Sequence, residues 1–408
     1  MMSGNLVGGA STQSRGRRPL PRDAVRGVTL ETHGVAEIVR FECADGSWYR
    51  QSLLSWVVGQ SGLLWAGGSY SNIPGPAPLH QPPAIHIRIR GEIEESGFES
   101  SGSYGHDVEQ RLADLLCDLY APYIDGALGV RFFQSGGEAC AAAVRVARAA
   151  TEREMIASCG YHGAALDFAH EPDYRGQPLA NVDLNLTLDF GDVPNMRRGA
   201  RKAACLIVEV LALDDDEMIA AFLHDCRPAC DEFHSIFILD EVVTGFRLGL
   251  GGACERYHVK PDIVCLGKAM SATGCISAVV GKRDLVGLLD KGVFYSTTFG
   301  GSPGPCRVAL NTLSWLRDHR GEVYGADGHL QRIGSALKDG FNARGVPCIG
   351  QPERSVFAFP SDEEWLSFCS RMIEHGVMVH RPNFVTLAHS FEDVTATMRA
   401  VEAVTHEH

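Results

Sequence analysis

CLIVEVLALDDDEMIAAFLHDCRPACDEFHSIFILDEVVTGFRLGLGGACERYHVKPDIVCLGK, residues 205–268, is the stretch whose reading decides the fold. Three short apolar runs stand in it. CLIV ends in Glu209, IFIL ends in Asp240 and IVCLG ends in Lys268. Successive runs lie about one βαβ unit apart. The first gap holds the helical pattern DEMIAAFLHDCRPACDEF. Short β-rich runs separated by helices predict a largely parallel sheet. The rhythm continues outward. VRFFQ, the Ala-rich helix ACAAAVRVARAATE and MIASCG precede the stretch, and ISAVVG follows it. In open α/β sheets, ligands bind at the carboxyl ends of strands. Any one of these three charged residues alone would read as a strand-end group facing solvent. Two acids and one of only six lysines at successive strand ends point to a site.

A fourth element is the turn Ser135-Gly136-Gly137 ahead of the Ala-rich helix. Two glycines let the backbone approach an anion, and a helix N-terminus offers free N–H groups and the positive end of its dipole. Ser is also a common N-cap, so the turn by itself says little. An amine, a ring-nitrogen carboxylate and an anion cradle together suit pyridoxal 5′-phosphate (PLP). The carboxylate keeps the pyridine nitrogen protonated. The lysine must lose its charge to react, so a desolvated site is expected around it.

Further out the pattern weakens. VAEIVRFECADGSWYRQ reads as a hairpin turning at Asp45-Gly46. Residues 74–105 are loop-like, and helical periodicity begins at His106. A long helix, CRVALNTLSWLRDH, opens the C-terminal part. The expected organisation is an N-terminal arm with part of a small domain (1–80), a large cofactor domain (81–310) and a C-terminal small domain (311–408).

A chain of 408 residues suits two or three lobes. Its net charge of −13 argues against nucleic acid or anionic lipid as a partner. The basic cluster Arg15, Arg17, Arg18, Arg22 and Arg26 reads as a solvated arm. No apolar run approaches membrane-span length, and the start lacks a signal-peptide core. The thirteen cysteines are scattered without zinc spacing, which predicts reduced thiols and a cytoplasmic protein with no metal.

From about residue 105 to 310, and again near the C-terminus, the chain resembles the class-III PLP aminotransferases, and within them the glutamate-1-semialdehyde 2,1-aminomutase-like branch. FFQSGGEACAAAVRVARA is similar to the family's SGTEA phosphate turn. GYHGA resembles the YHG segment whose tyrosine stacks on the cofactor ring, which points to Tyr161, with His162 beside it. LDEVVTGFRLGLGGACERYHVKPD is close to the DEVxTGFR…GGA…GVxPD block. That makes Asp240 the ring-nitrogen partner and places Val242 on the opposite ring face. CLGKA assigns Lys268 as the Schiff-base lysine. STTFGGSP resembles the segment whose threonine, here Thr298, reaches the phosphate of the neighbouring subunit. The resemblance implies an α/β fold of type I, with a mostly parallel sheet in a large domain plus a smaller α+β domain. It also implies a homodimer with shared sites. Ser135, Gly136, Gly137, Tyr161, His162, Glu209, Asp240, Val242, Lys268 and Thr298 form the expected cofactor set, with Lys268, Asp240 and Tyr161 catalytic.

FVTLAHSFEDV matches the aminomutase-like branch, and Val243 stands where ordinary members carry a Gln. GGASTQSR resembles a segment contacting the substrate carboxylate, which makes Thr12 and Arg15 candidates, with Arg381 as a second carboxylate clamp. Departures cluster near the substrate. SGG replaces SGT, Val210 and Leu211 replace the Pro after Glu209, and Ser271 to Gly274 replace a glycine run. Arg381-Pro382-Asn383-Phe384 is a shortened segment without its acid, and residues 60–100 match poorly. Residues 164–190 resemble a gate. The implied activity is a transaminase acting on a small amine or amino acid. An intramolecular aminomutase is the alternative, with an epimerase, a decarboxylase or a non-catalytic ligand-binding member behind it.

Overall fold

The computed structural model describes residues 107–164, 168, 176–271 and 275–406 with their side chains, and the backbone of strands within 25–52. Thr12, Arg15, the loop-like residues 74–105 and much of the gate-like segment lie outside the described residues. The strands are β1 (Val25–His33), β2 (Ala36–Cys43) and β3 (Trp48–Ser52), in one antiparallel sheet. β2 and β3 pair Ile38 with Ser52 and Glu42 with Trp48, the register of the expected hairpin. β1 has no clear alternation in VRGVTLETH, and sequence reasoning missed it.

The described residues fall into two units. One holds 107–211 and 215–314; the other holds β1 to β3, 212–214 and 315–406. The first unit is built on seven strands: β4 (Leu128–Phe133), β5 (Ile156–Cys159), β6 (Asn185–Thr187), β7 (Cys205–Glu209), β8 (Ile236–Asp240), β9 (Ile263–Leu266) and β10 (Ser277–Lys282). Their order is β4-β10-β9-β8-β7-β5-β6. Strands β6, β5, β7, β8 and β9 are mutually parallel, and β10 is antiparallel to both its neighbours. β7 and β9 are buried at every residue, which is why they read as continuous apolar runs.

Helices cover the sheet because their apolar stripes have nowhere else to go. They include α1 (Asp107–Tyr120), α2 (Gly136–Thr151), α3 (Val193–Lys202) and α4 (Asp216–Phe233). α2 is Ala-rich and buries Ala139 to Val144, Val146 and Ala147. Small side chains let its backbone lie close to the strands, where it packs with Ile207, Ile238, Ile263 and Val279. Burying each of those strand side chains contributes about 1.5–3 kcal/mol. Asp215 starts α4 by accepting from Met218 N–H at 2.8 Å, and His234 ends it in the left-handed region at φ 53°.

After β8 the chain turns through TGFR into α5 (Gly252–Arg256). Glu241 is fully buried there. Its carboxylate accepts from the N–H groups of Ala253 (2.9 Å) and Cys254 (2.8 Å) and from the Thr244 hydroxyl. Arg247 is also buried, its Nε donating to the Val243 carbonyl at 3.2 Å. The motif residues Glu241 and Arg247 therefore hold the turn that follows Asp240. Gly252 has φ +62°, and a Cβ on it would lie 2.3 Å from Glu241 Oε2. Gly252→Ala is expected to cost about 2–4 kcal/mol through strain and a displaced buried carboxylate. Thermal unfolding would show this as a midpoint lowered by about 5–10 °C.

The second unit has a small antiparallel sheet, β11 (Cys348–Ile349), β12 (Arg354–Phe357) and β13 (Pro382–Phe384). Its long helix α6 (Pro303–Asp318) is shared in sequence with the first unit. α7 (His329–Asn342), α8 (Asp362–Glu374) and α9 (Phe391–His406) complete it. Phe357 stacks on Trp365 at 5.4 Å and meets Phe341 edge-on at 4.8 Å. Among the described residues, no helix is long and apolar enough to cross a membrane.

Candidate active site

Glu209 and Asp240 end adjacent parallel strands and stand opposite one another in register. Asp240 is also opposite Cys265 of β9, three residues before Lys268. The sheet thus brings two carboxylates and a lysine to neighbouring strand ends.

Asp240 is buried, and its donors fix it on three sides. Oδ2 lies 2.8 Å from His162 Nδ1 and accepts from the Cys140 thiol at 3.3 Å. Oδ1 accepts from Val242 N–H at 3.0 Å. An ionised carboxylate only accepts, so His162 Nδ1 carries the hydrogen of that bond. The other ring nitrogen of His162, Nε2, is buried without a partner, and Phe168 packs beside the ring at 5.2 Å.

Lys268 sits just past β9 with φ +42°, a left-handed conformation that a non-glycine residue adopts at a cost. Burial pushes its ammonium below the ordinary lysine range. The charges of Glu209 and Asp240 oppose that fall, and Arg247 adds to it. A larger neutral fraction makes this amine a better nucleophile and base than a surface lysine.

Glu209 is buried and accepts from the Tyr161 N–H at 2.9 Å, which anchors the loop after β5. Tyr161 itself stays 49% exposed. Val242 lies against the start of α2. A Cβ on Gly136 would come within 2.5 Å of Val242 Cγ1, so only glycine lets the backbone pass there. Ser135 caps α2. Its hydroxyl accepts from Glu138 N–H at 3.3 Å, while Glu138 Oε2 accepts from Ser135 N–H at 2.9 Å. The Ser135 side chain is thus engaged within the cap, and the first-turn N–H groups of Gly136 and Gly137 have no partner inside the helix.

Thr298 is exposed, while its neighbour Thr297 has a buried hydroxyl oxygen without a hydrogen-bond partner. Arg381 belongs to the second unit, where its guanidinium lies 3.2 Å from Asp362 and over the Trp365 ring at 5.5 Å. Thr12 and Arg15 are outside the described residues. Sequence reasoning missed Cys140. One helical cysteine among thirteen carries no signal until the fold sets it beside Asp240.

These features fit PLP. The buried, acceptor-only Asp240 suits a protonated ring nitrogen, the desolvated amine of Lys268 suits its aldehyde, and the open start of α2 suits its phosphate.

Residues 194–381 match the family model described as aminotransferase class-III. A glutamate-1-semialdehyde 2,1-aminomutase from Methanobrevibacter smithii is 30% identical over 337 residues, covering 74% of this chain and 79% of that one. Its namesake from Thermodesulfovibrio yellowstonii is 29% identical over 405 residues, 87% of each chain. Among solved structures, an omega-transaminase from Sphaerobacter thermophilus superposes with a TM-score of 0.73 at 21% identity, covering 99% of both chains.

Proposed function

We propose that this chain, which belongs to the class-III aminotransferase family, works through Lys268, Asp240 and Tyr161 in moving an amino group from a small amine or amino acid to a keto or aldehyde acceptor. It is a PLP-dependent enzyme of the α/β type I fold. The observation that carries the assignment is the desolvated Lys268 one strand from the buried Asp240–His162 pair.

Bound PLP supplies an electrophilic carbon and a ring that takes up the electron pair released at the substrate carbon. Lys268 would hold that carbon through its amine, and the same amine would carry a proton away from the substrate carbon and return it. Asp240 would keep the ring nitrogen protonated, and His162 steadies Asp240. Tyr161 and Val242 would flank the ring. The N–H groups of Gly136 and Gly137, with Ser135, would hold the phosphate, and Thr298 of the partner subunit would complete that cradle in a homodimer. Glu209 fixes the main chain at Tyr161. Thr12, Arg15 and Arg381 are the candidates for the substrate carboxylate. A cytoplasmic location is inferred from the thirteen cysteines scattered along the sequence.

An aminomutase is the second reading, favoured by the names of the two curated relatives. Such an enzyme returns the amino group to the same molecule at a neighbouring carbon. The two are separated by leaving out the amino acceptor. A transaminase is expected to stop after one equivalent of donor per site, and added keto acid restores turnover. Sustained turnover of a single substrate with no acceptor would replace the first reading with the second.

A further inference from the structure

We propose that Cys140 is a positioning residue for Asp240: its thiol donates to Oδ2 and, together with His162, turns the carboxylate so that one acceptor site of Oδ1 faces the cofactor ring. The proposal rests on the reading of Asp240 as the partner of the ring nitrogen.

A carboxylate offers about four acceptor sites, two on each oxygen. On Asp240 both sites of Oδ2 are used, by His162 at 2.8 Å and Cys140 at 3.3 Å. One site of Oδ1 is used by the Val242 N–H at 3.0 Å. That leaves one, on Oδ1. Three donors from three different elements (α2, the loop after β5 and the turn after β8) hold the carboxylate against rotation. Without the thiol, Oδ2 regains a free acceptor site in a dry pocket, and the plane of the carboxylate is held from one side fewer.

Cys140 is suited to donate. It is buried, and a hydrogen bond with Cys265, burial and the charge of Asp240 all push its thiol well above the ordinary range. It therefore stays S–H. Cys265 is the competing acceptor, but a sulfur accepts weakly and a carboxylate strongly. A bound metal would need the same three atoms, Cys140 Sγ, His162 Nδ1 and Asp240 Oδ2, which lie within 4.8 Å of one another. Two ligands of a tetrahedral zinc stand about 3.3 Å apart. The 2.8 Å between Nδ1 and Oδ2 is too short for that and right for a hydrogen bond.

The test uses the full-length holoenzyme. In the infrared S–H stretching region, the difference between wild type and Cys140→Ala is expected to show one band at lowered frequency, the sign of a thiol bonded to a charged acceptor. In Asp240→Asn that band moves toward the free-thiol position. The visible absorbance of the bound cofactor is then followed against pH. His162, Cys265, Glu209, Lys268 and Arg247 are the other titratable or charged groups around Asp240 and Lys268, and all remain in place in the Cys140 variants. Cys140→Ala is expected to shift the pH profile and weaken cofactor retention about three- to ten-fold. Cys140→Ser, which keeps a donor, stays within about two-fold of wild type. A free-thiol band, zinc copurifying with wild type but not Cys140→Ala, or an unmoved pH profile and retention in Cys140→Ala overturns the proposal. If Asp240→Asn also leaves profile and retention unmoved, the role of Asp240 itself falls; if only Asp240→Asn moves them, the role of Cys140 alone does.

Discussion

Lys268→Ala is expected to lose the visible absorbance band of the bound cofactor and to lower turnover by at least about 10⁴-fold. Two effects combine. The variant has no amine to hold the cofactor's aldehyde carbon, and it has no base at the substrate carbon, which by itself is worth about 10²–10⁴-fold. The other five lysines do not substitute. Lys260 is paired with Asp125, Lys282 with Asp262 and Lys338 with Asp214, while Lys202 and Lys291 are exposed to solvent. Stability should move little or upward. The folded-state pKa of Lys268 is lowered, so folding disfavours its charged form. That penalty is full below the lowered folded pKa and disappears above the unfolded lysine value. At neutral pH the alanine variant is free of it, while the left-handed strain remains because alanine keeps the Cβ. A variant that keeps both band and rate would remove Lys268 from the mechanism.

The regular frame was legible because burial leaves a simple trace. β7, β8 and β9 are apolar along their length since both faces of a parallel sheet are covered, and α2 shows its cap in Ser135. The charged residue after each run was legible for the same reason, as the first polar residue beyond a buried strand. β1 was not, because VRGVTLETH mixes polar and apolar residues without a period. The site's inner contacts were not legible either. Cys140 and His162 come from elements separated in sequence and meet on one oxygen of Asp240 only after the strands are ordered. The left-handed backbone of Lys268 has no sequence mark, since nothing in its side chain favours φ above zero. The Ser135 hydroxyl shows the converse case. Its motif position suggests a phosphate contact, while its chemistry as an N-cap engages it with Glu138.

Asp240→Asn is expected to keep the fold and lower turnover by about 10³-fold, the scale of losing one preorganised electrostatic partner of the reacting system. The shape is preserved and the charge is lost. With it goes the support for a protonated ring nitrogen, so the ring withdraws electrons less well from the substrate carbon. The local cost follows from donor counting. His162 Nδ1 and the Cys140 thiol converge on one oxygen, and Val242 N–H occupies the other. Asparagine supplies one acceptor oxygen and one NH₂ group, so at one of the two positions a donor must face a donor. His162 can relieve half of this by moving its hydrogen to Nε2, which is buried without a partner and then becomes a buried unsatisfied donor. Either arrangement costs about 1–3 kcal/mol, which thermal unfolding can measure separately from rate. Because the cofactor would still attach at Lys268, the absorbance band should persist with an altered pH response, in contrast to its disappearance in Lys268→Ala. An Asp240→Asn enzyme within about ten-fold of wild-type turnover, a deficit of only about 1.4 kcal/mol, would show that the ring nitrogen does not depend on this carboxylate.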